Sequence, residues 1–321
     1  MRLIPWISLA LMAIVGCNRE GTQQQAKGPA IGPAVQNAGV SLAEARRGFQ
    51  TKIVRKEKTG EPVPEPPKGI FDLVHYESPV GKLAAYLTPD PKDGKKRPAI
   101  VWITGGDCNS IDPVWEDAPS ENDQTASAYR KAGIVMMFPS LRGGNDNPGT
   151  KEGFFGEVDD VLAAADFLAK QEYVDPKRIY LGGHSTGGTL VLLVSECSDR
   201  FRAVFSFGPV EDVGGYGDEY CPFDTSIRKE LQLRAPIAWL HCIQSPTFVF
   251  EGTQQGNLRS MQMMSGSSKN PAAHFHAVRR GNHFNILAPV NRLLAVKVLG
   301  DDGPACNITF ADDELNNLGL K

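Results

Sequence analysis

Between about residues 71 and 299 the apolar positions fall into two alternating rhythms. Apolar runs at 99–103 and 134–138, and at 203–207 and 247–250 with one Ser or Thr each, have the length of strands covered on both faces. Shorter strand signals at 178–181 and 274–278 belong to the same series, and 71–77 with 82–87 predict a hairpin across a Pro-Val-Gly turn. Between the strands lie helical patterns. Val158, Val161, Leu162, Ala165 and Leu168 recur at i, i+3, i+4, i+7 and i+10, one face of a helix, with Asp159, Asp160 and Asp166 off that face. Further helices are expected over 124–131, 186–197 and 286–299. Strands alternating with helices predict an α/β fold, a mostly parallel central sheet with helices on both faces.

The N-terminus has a different pattern. Met1-Arg2 precedes an apolar stretch from Leu3 to Val15, too short to span a bilayer comfortably and of the length of a signal-peptide core. Ile14-Val15-Gly16-Cys17 resembles a bacterial lipobox, which would make Cys17 an acylated N-terminus and residues 1–17 a lipoprotein-type signal peptide. An ordinary cleaved signal peptide is the alternative. The next stretch is Gln, Gly, Ala, Pro and Asn with almost no large apolar residues up to about Val40, so residues 18–48 are expected to be a flexible tether and 49–321 the globular domain, its core about 71–299. These features place the protein in a bacterial cell envelope as a membrane-anchored lipoprotein, on the periplasmic or extracellular face, held by its lipid alone.

Composition narrows the functions. At 321 residues and 41% hydrophobic the chain can bury one large core, and a net charge of −3 with mixed signs supplies no field for nucleic acid. After Cys17, five cysteines remain, Cys108, Cys197, Cys221, Cys242 and Cys306, so at least one is unpaired within the chain. Their spacing is not that of metal ligands, and neither HExxH nor CxxC occurs. His274 and His276 share one face of a strand and are read as a packed or solvated pair rather than a metal site. No metal or cofactor is expected.

Gly-His-Ser-Thr-Gly, residues 183–187, follows the strand at 178–181 and precedes an apolar helix. G-x-S-x-G in that strand-turn-helix setting is a nucleophile elbow, which makes Ser185 the candidate nucleophile and the Thr186 N–H a candidate oxyanion donor at a helix N-terminus. His283, in a turn after the last strand, stands where the α/β-hydrolase order of serine, acid and histidine requires the base. Gly105 and Gly106, after the strand at 99–103, are the remaining candidate oxyanion-hole residues.

"SLRGGNDNPG", "FFGEVDDVLAAADFL", "GGHSTGG" and "GPVED" together resemble the catalytic domain of the prolyl oligopeptidase family over about 71–299. The resemblance implies an α/β-hydrolase that cleaves small peptides or esters through an acyl-serine. Two departures stand out. Nothing corresponds to the family's β-propeller, and where the family reads His-Gly-x-x-Asp after the strand at 247–250, this chain reads Glu251-Gly252-Thr253-Gln254-Gln255, with Gln255 at the aspartate position. Three readings of the acid stay open: Glu251, Asp212 or Glu211 at the end of the previous strand, or no acid at all. Two functions follow, a lipid-anchored serine peptidase or carboxylesterase, and a hydrolase-fold binding protein with impaired chemistry. The excursion 213–240 is expected to cover the site, with Tyr216, Tyr220, Phe223 and Trp239 as possible pocket walls.

Overall fold

The computed structural model describes residues 39–320; the expected signal peptide, Cys17 and the tether up to residue 38 lie outside the described residues. One eight-stranded sheet runs β1 (Asp72–Ser78), β2 (Gly81–Leu87), β3 (Arg97–Ile103), β4 (Val135–Pro139), β5 (Val174–His184), β6 (Val204–Phe207), β7 (Thr247–Gly252) and β8 (Ala273–Val278). Its spatial order is β1-β2-β4-β3-β5-β6-β7-β8. The β1–β2 and β2–β4 pairs are antiparallel and all the others parallel. The helices are α1 (Leu42–Arg46), α2 (Ala128–Lys131), α3 (Glu157–Leu168), α4 (Thr186–Cys197), α5 (Arg228–Gln232), α6 (Leu258–Ser267), α7 (Leu287–Gly300) and α8 (Asp312–Asn316).

The continuous apolar strands are explained by cover on both faces. In β3, Ala99, Val101 and Ile103 pack toward the side of α3 and α4, whereas Ile100 and Trp102 pack toward the side of α7. Ile179 and Leu181 of β5 follow the first set and Tyr180 the second. The chain turns from building on one side of β3 to the other between β4 and β5, and in sheets of this kind the crevice at the carboxyl ends of the strands beside that switch is where ligands bind. Ser185 ends β5, and Gly105 and Gly106 follow β3.

Two expectations need correcting. The tether does not extend to residue 48: Leu42 is fully buried in the main core, and Arg46 of α1 donates to the Phe155 carbonyl at 2.9 Å and pairs with Asp159 at 3.1 Å. Helix is found over only the last turn of 124–131. Asp123 accepts from the Thr125 N–H and hydroxyl, and Ala126 has φ +45, a conformation that stops a helix.

The Arg-Gly-Gly and Asp-Asp-Val segments meet each other. Asp160 is fully buried and accepts from Arg142 Nε at 2.8 Å and Nη2 at 2.9 Å, while Asp159 takes Arg46. The two aspartates therefore clamp α3 to the loop after β4 and to α1, which is why they lie off the apolar face yet one of them is buried.

Candidate active site

The elbow at the end of β5 is tight. Ser185 has φ +54, and its N–H donates to the Phe207 carbonyl at 2.7 Å, which hangs the turn on the neighbouring strand. A Cβ on Gly187 would lie 2.4 Å from the Ile103 carbonyl oxygen, so only glycine lets α4 start this close to β3. The first N–H groups of α4, that of Thr186 included, have no intrahelical acceptor and face the end where Ser185 stands.

His283 lies in the turn before α7 and its Nδ1 is 2.9 Å from Glu251 Oε2. Glu251 is completely buried. Its other contacts are the Gly252 N–H at 2.6 Å on Oε1 and the Asn257 N–H at 2.9 Å on Oε2. A carboxylate oxygen accepts, so His283 Nδ1–H donates to it and Nε2 is left with a free lone pair. Asn257 also donates through Nδ2 to the Gly208 carbonyl at 2.8 Å, tying the loop after β7 to the end of β6. Gly208, at φ +59, packs against the imidazole: a Cβ there would lie 2.4 Å from His283 Cε1 and 2.9 Å from Glu251 Oε2.

The other candidates for the acid lie elsewhere. Asp212 caps the short helical turn after β6 by accepting from the Gly214 N–H at 2.8 Å, and burial holds its pKa above the usual carboxylate range. Gln255 is exposed at φ +65. The Tyr216 hydroxyl lies 2.6 Å from Thr189 Oγ1, and among the described residues Ser185 Oγ makes no hydrogen bond to His283. Bonds of this kind are commonly long before substrate arrives.

The expected oxyanion residues separate. Gly105 N–H donates to Gln124 Oε1 at 3.1 Å, so it is already occupied and does not serve as a free donor. Gly106 is exposed at φ +76, and its carbonyl accepts from Thr186 Oγ1 at 2.9 Å. Its N–H makes no hydrogen bond among the described residues, which leaves Gly106 and Thr186 as the pair of open donors.

A cavity of about 250 Å³ lies beside this loop, lined by Gly106, Cys108, Lys151, Phe154, Glu219 and Tyr220 among others. Tyr216, expected as a wall, does not line this cavity but stacks on Phe154, which does, at 5.9 Å. Phe223 and Trp239 are not pocket walls: both are buried in the core, Phe223 under the Arg234 guanidinium at 3.9 Å and Trp239 donating to the Gln232 carbonyl at 2.7 Å. The five cysteines among the described residues are all free thiols. His274 stacks on Phe248 and His276 on Phe250, and no metal-binding cluster occurs among the described residues.

Sheet order, elbow and the placement of the histidine turn define an α/β-hydrolase. Residues 120–265 match the model of the prolyl oligopeptidase family, so the chain contains a prolyl oligopeptidase family domain. Prolyl oligopeptidase A of Galerina marginata is 33% identical over 124 residues, which is 36% of this chain but 15% of that protein. Acylaminoacyl peptidase of Pyrococcus horikoshii superposes with a TM-score of 0.59 at 15% identity, over 77% of this chain and 44% of that one. A puromycin-hydrolyzing peptidase of Mycobacterium tuberculosis gives 0.58 at 17% identity, over 72% and 39%. The chain thus spans less than half the length of each of these proteins. Ser185 and Glu251 fall inside the matched residues; His283 and the glycines at 105 and 106 fall outside.

Proposed function

We propose that the protein is an exported, lipid-anchored serine hydrolase that cleaves a peptide or carboxylic ester bond through an acyl-serine. The observation that carries this reading is the 2.9 Å contact between buried Glu251 and His283 at the strand ends next to the Ser185 elbow. In this reading His283 Nε2 takes the proton of Ser185 Oγ as the oxygen attacks the substrate carbonyl, and the Glu251 carboxylate stabilises the imidazolium. The Thr186 and Gly106 N–H groups receive the developing oxyanion. His283 then returns the proton to the leaving amine or alkoxide, and water repeats the sequence to free the serine. The reading of an impaired binding protein drew on Gln255; with Glu251 against His283, a carboxylate is available and that argument weakens. The cavity lined by Phe154 and Tyr220 is a fitting place for the substrate group next to the scissile bond.

A fluorophosphonate probe tests the chemistry. Wild-type protein is expected to be labelled at Ser185 and to hydrolyse p-nitrophenyl esters, and Ser185→Ala is expected to lose both while keeping its melting temperature. Labelling or turnover undiminished in the variant sinks the assignment.

A further inference from the structure

His184, the residue before the nucleophile, is buried with 1% exposure and is fully engaged. Its Nε2 is 2.9 Å from the His283 carbonyl oxygen and its Nδ1 is 2.8 Å from Gln124 Nε2. A carbonyl can only accept, so His184 Nε2 carries the hydrogen and Nδ1 is the acceptor. Gln124 must then present its NH2 to His184. That orientation also satisfies the rest of the amide: Nε2 lies 2.8 Å from Asn122 Oδ1, and Oε1 accepts from the Gly105 N–H. Flipping the amide would set oxygen against oxygen at Asn122 and N–H against N–H at Gly105, so a single orientation is allowed.

The chain of bonds crosses the site. It begins at the oxyanion loop after β3, passes through Gln124 and His184, and ends on the backbone of the residue proposed as the base. Gly105 is close to His184 for the same reason: a Cβ there would stand 2.8 Å from its Nδ1. Gly106 is held from the opposite side by the Thr186 hydroxyl, and Phe284 packs over both imidazoles with ring centroids 5.5 Å from His184 and 4.9 Å from His283.

We propose that Gln124 and His184 are positioning residues that lock the oxyanion loop and the His283 turn in one register, so that the oxyanion donors and the base move together or not at all. This rests on Ser185 and His283 acting as nucleophile and base, as proposed above. His184 takes no proton in the reaction. Burial, reinforced by the neighbouring His283, pushes its pKa down to about 3, so it stays neutral through the working pH range. It acts through geometry, and a misplacement of about 1 Å at a reacting group can cost around a hundredfold in rate.

Two measurements test the relay. Nitrogen-15 spectra of histidine-labelled wild-type protein are expected to show His184 as the Nε2–H tautomer, unchanged from pH 8 to pH 4; an Nδ1–H tautomer, or a ring that titrates near its ordinary value, overturns the proposal whatever the enzyme's activity. In kinetics on a p-nitrophenyl ester, Gln124→Met and His184→Phe are each expected to lower kcat about 10- to 100-fold with KM changed less than about threefold. Because both act through one chain of bonds, the double variant should be no slower than the worse single one within about threefold. Multiplicative losses, or losses confined to KM, would mean independent packing roles and refute the relay. If fluorophosphonate labelling of wild type fails while the tautomer is as expected, the fault lies with the proposed chemistry and not with the lock.

Discussion

Glu251 lies at the end of β7 and Gln255 in the turn that follows it, and only Glu251 is buried against His283. Under the proposed function, Glu251→Gln should lower kcat about ten-thousandfold with KM nearly unchanged, the scale seen when a triad carboxylate becomes an amide. Asp212→Asn, at a turn cap away from the histidine, should cost far less, and Gln255→Asp should bring little gain. A large rise in kcat from Gln255→Asp would count against Glu251 as the working acid. Gly208 is the backbone counterpart of this prediction. Gly208→Ala places a methyl 2.4 Å from His283 Cε1 at a positive φ, so it should depress kcat without altering the fluorescence-detected fold. The buried His184 adds a pH effect on stability. Its folded pKa, about 3, lies below its ordinary 6.5, so below pH 6.5 the unfolded chain binds a proton that the folded chain refuses. The stability is complete above pH 6.5 and is lost as pH falls toward 3. Urea unfolding of His184→Phe between those limits should show a shallower acid loss than wild type.

At the level of elements, the polar clamps on α3 matter as much as its apolar face. Arg142 and Asp160 form a buried bidentate pair, and removing the Asp160 charge leaves the buried guanidinium only its single contact to Glu152 at 2.6 Å. Asp160→Asn should therefore destabilise by about 3–5 kcal/mol in denaturant titration. The short helix α1 makes a parallel case. Leu42 is fully buried, and Leu42→Ala should cost about 2–5 kcal/mol. That helix was hidden in the sequence because five residues carry too little periodicity to stand out from a Gln- and Ala-rich segment; its partners are Phe155 and Asp159, more than a hundred positions away. The segment 51–55 is similar. It runs beside the excursion 213–240, with Ile53 bridged to Phe223 and the Val54 N–H donating to the Pro222 carbonyl.

For the molecule as a whole, the proposed export and lipid anchor make one clear expectation. No helix among the described residues is long and apolar enough to cross a membrane. Cys17→Ala, with its signal peptide removed, should move the protein from the membrane fraction to the soluble fraction. Continued membrane attachment would refute the lipid anchor. A chain cut before residue 49 should be less stable than one cut before residue 39, because it loses the burial of Leu42 and the Arg46 pairs.

By itself the sequence determined the order of the eight strands and of the helices α3, α4 and α7 among them, the two-sided burial of the sheet, and the candidates Ser185 and His283. Each of these rests on local pattern: a run of apolar residues, a helical repeat, or glycines two positions either side of a serine. What it could not decide was which of three readings of the acid applies, because Glu251, Glu211 and Asp212 all lie near strand ends and differ in where their side chains go. The tertiary structure adds those positions. It buries Glu251 against His283, turns Asp212 onto its own loop and leaves Gln255 in solvent. It also consumes the Gly105 N–H through Gln124, a residue with no local signal at all. Hydrogen bonds between residues 19 to 99 positions apart, such as those from Gln124 to Gly105 and from His184 to His283, depend on how strands are ordered in the sheet. Local patterns carry no record of that order, and so the strands were legible while the pairing across the site was not.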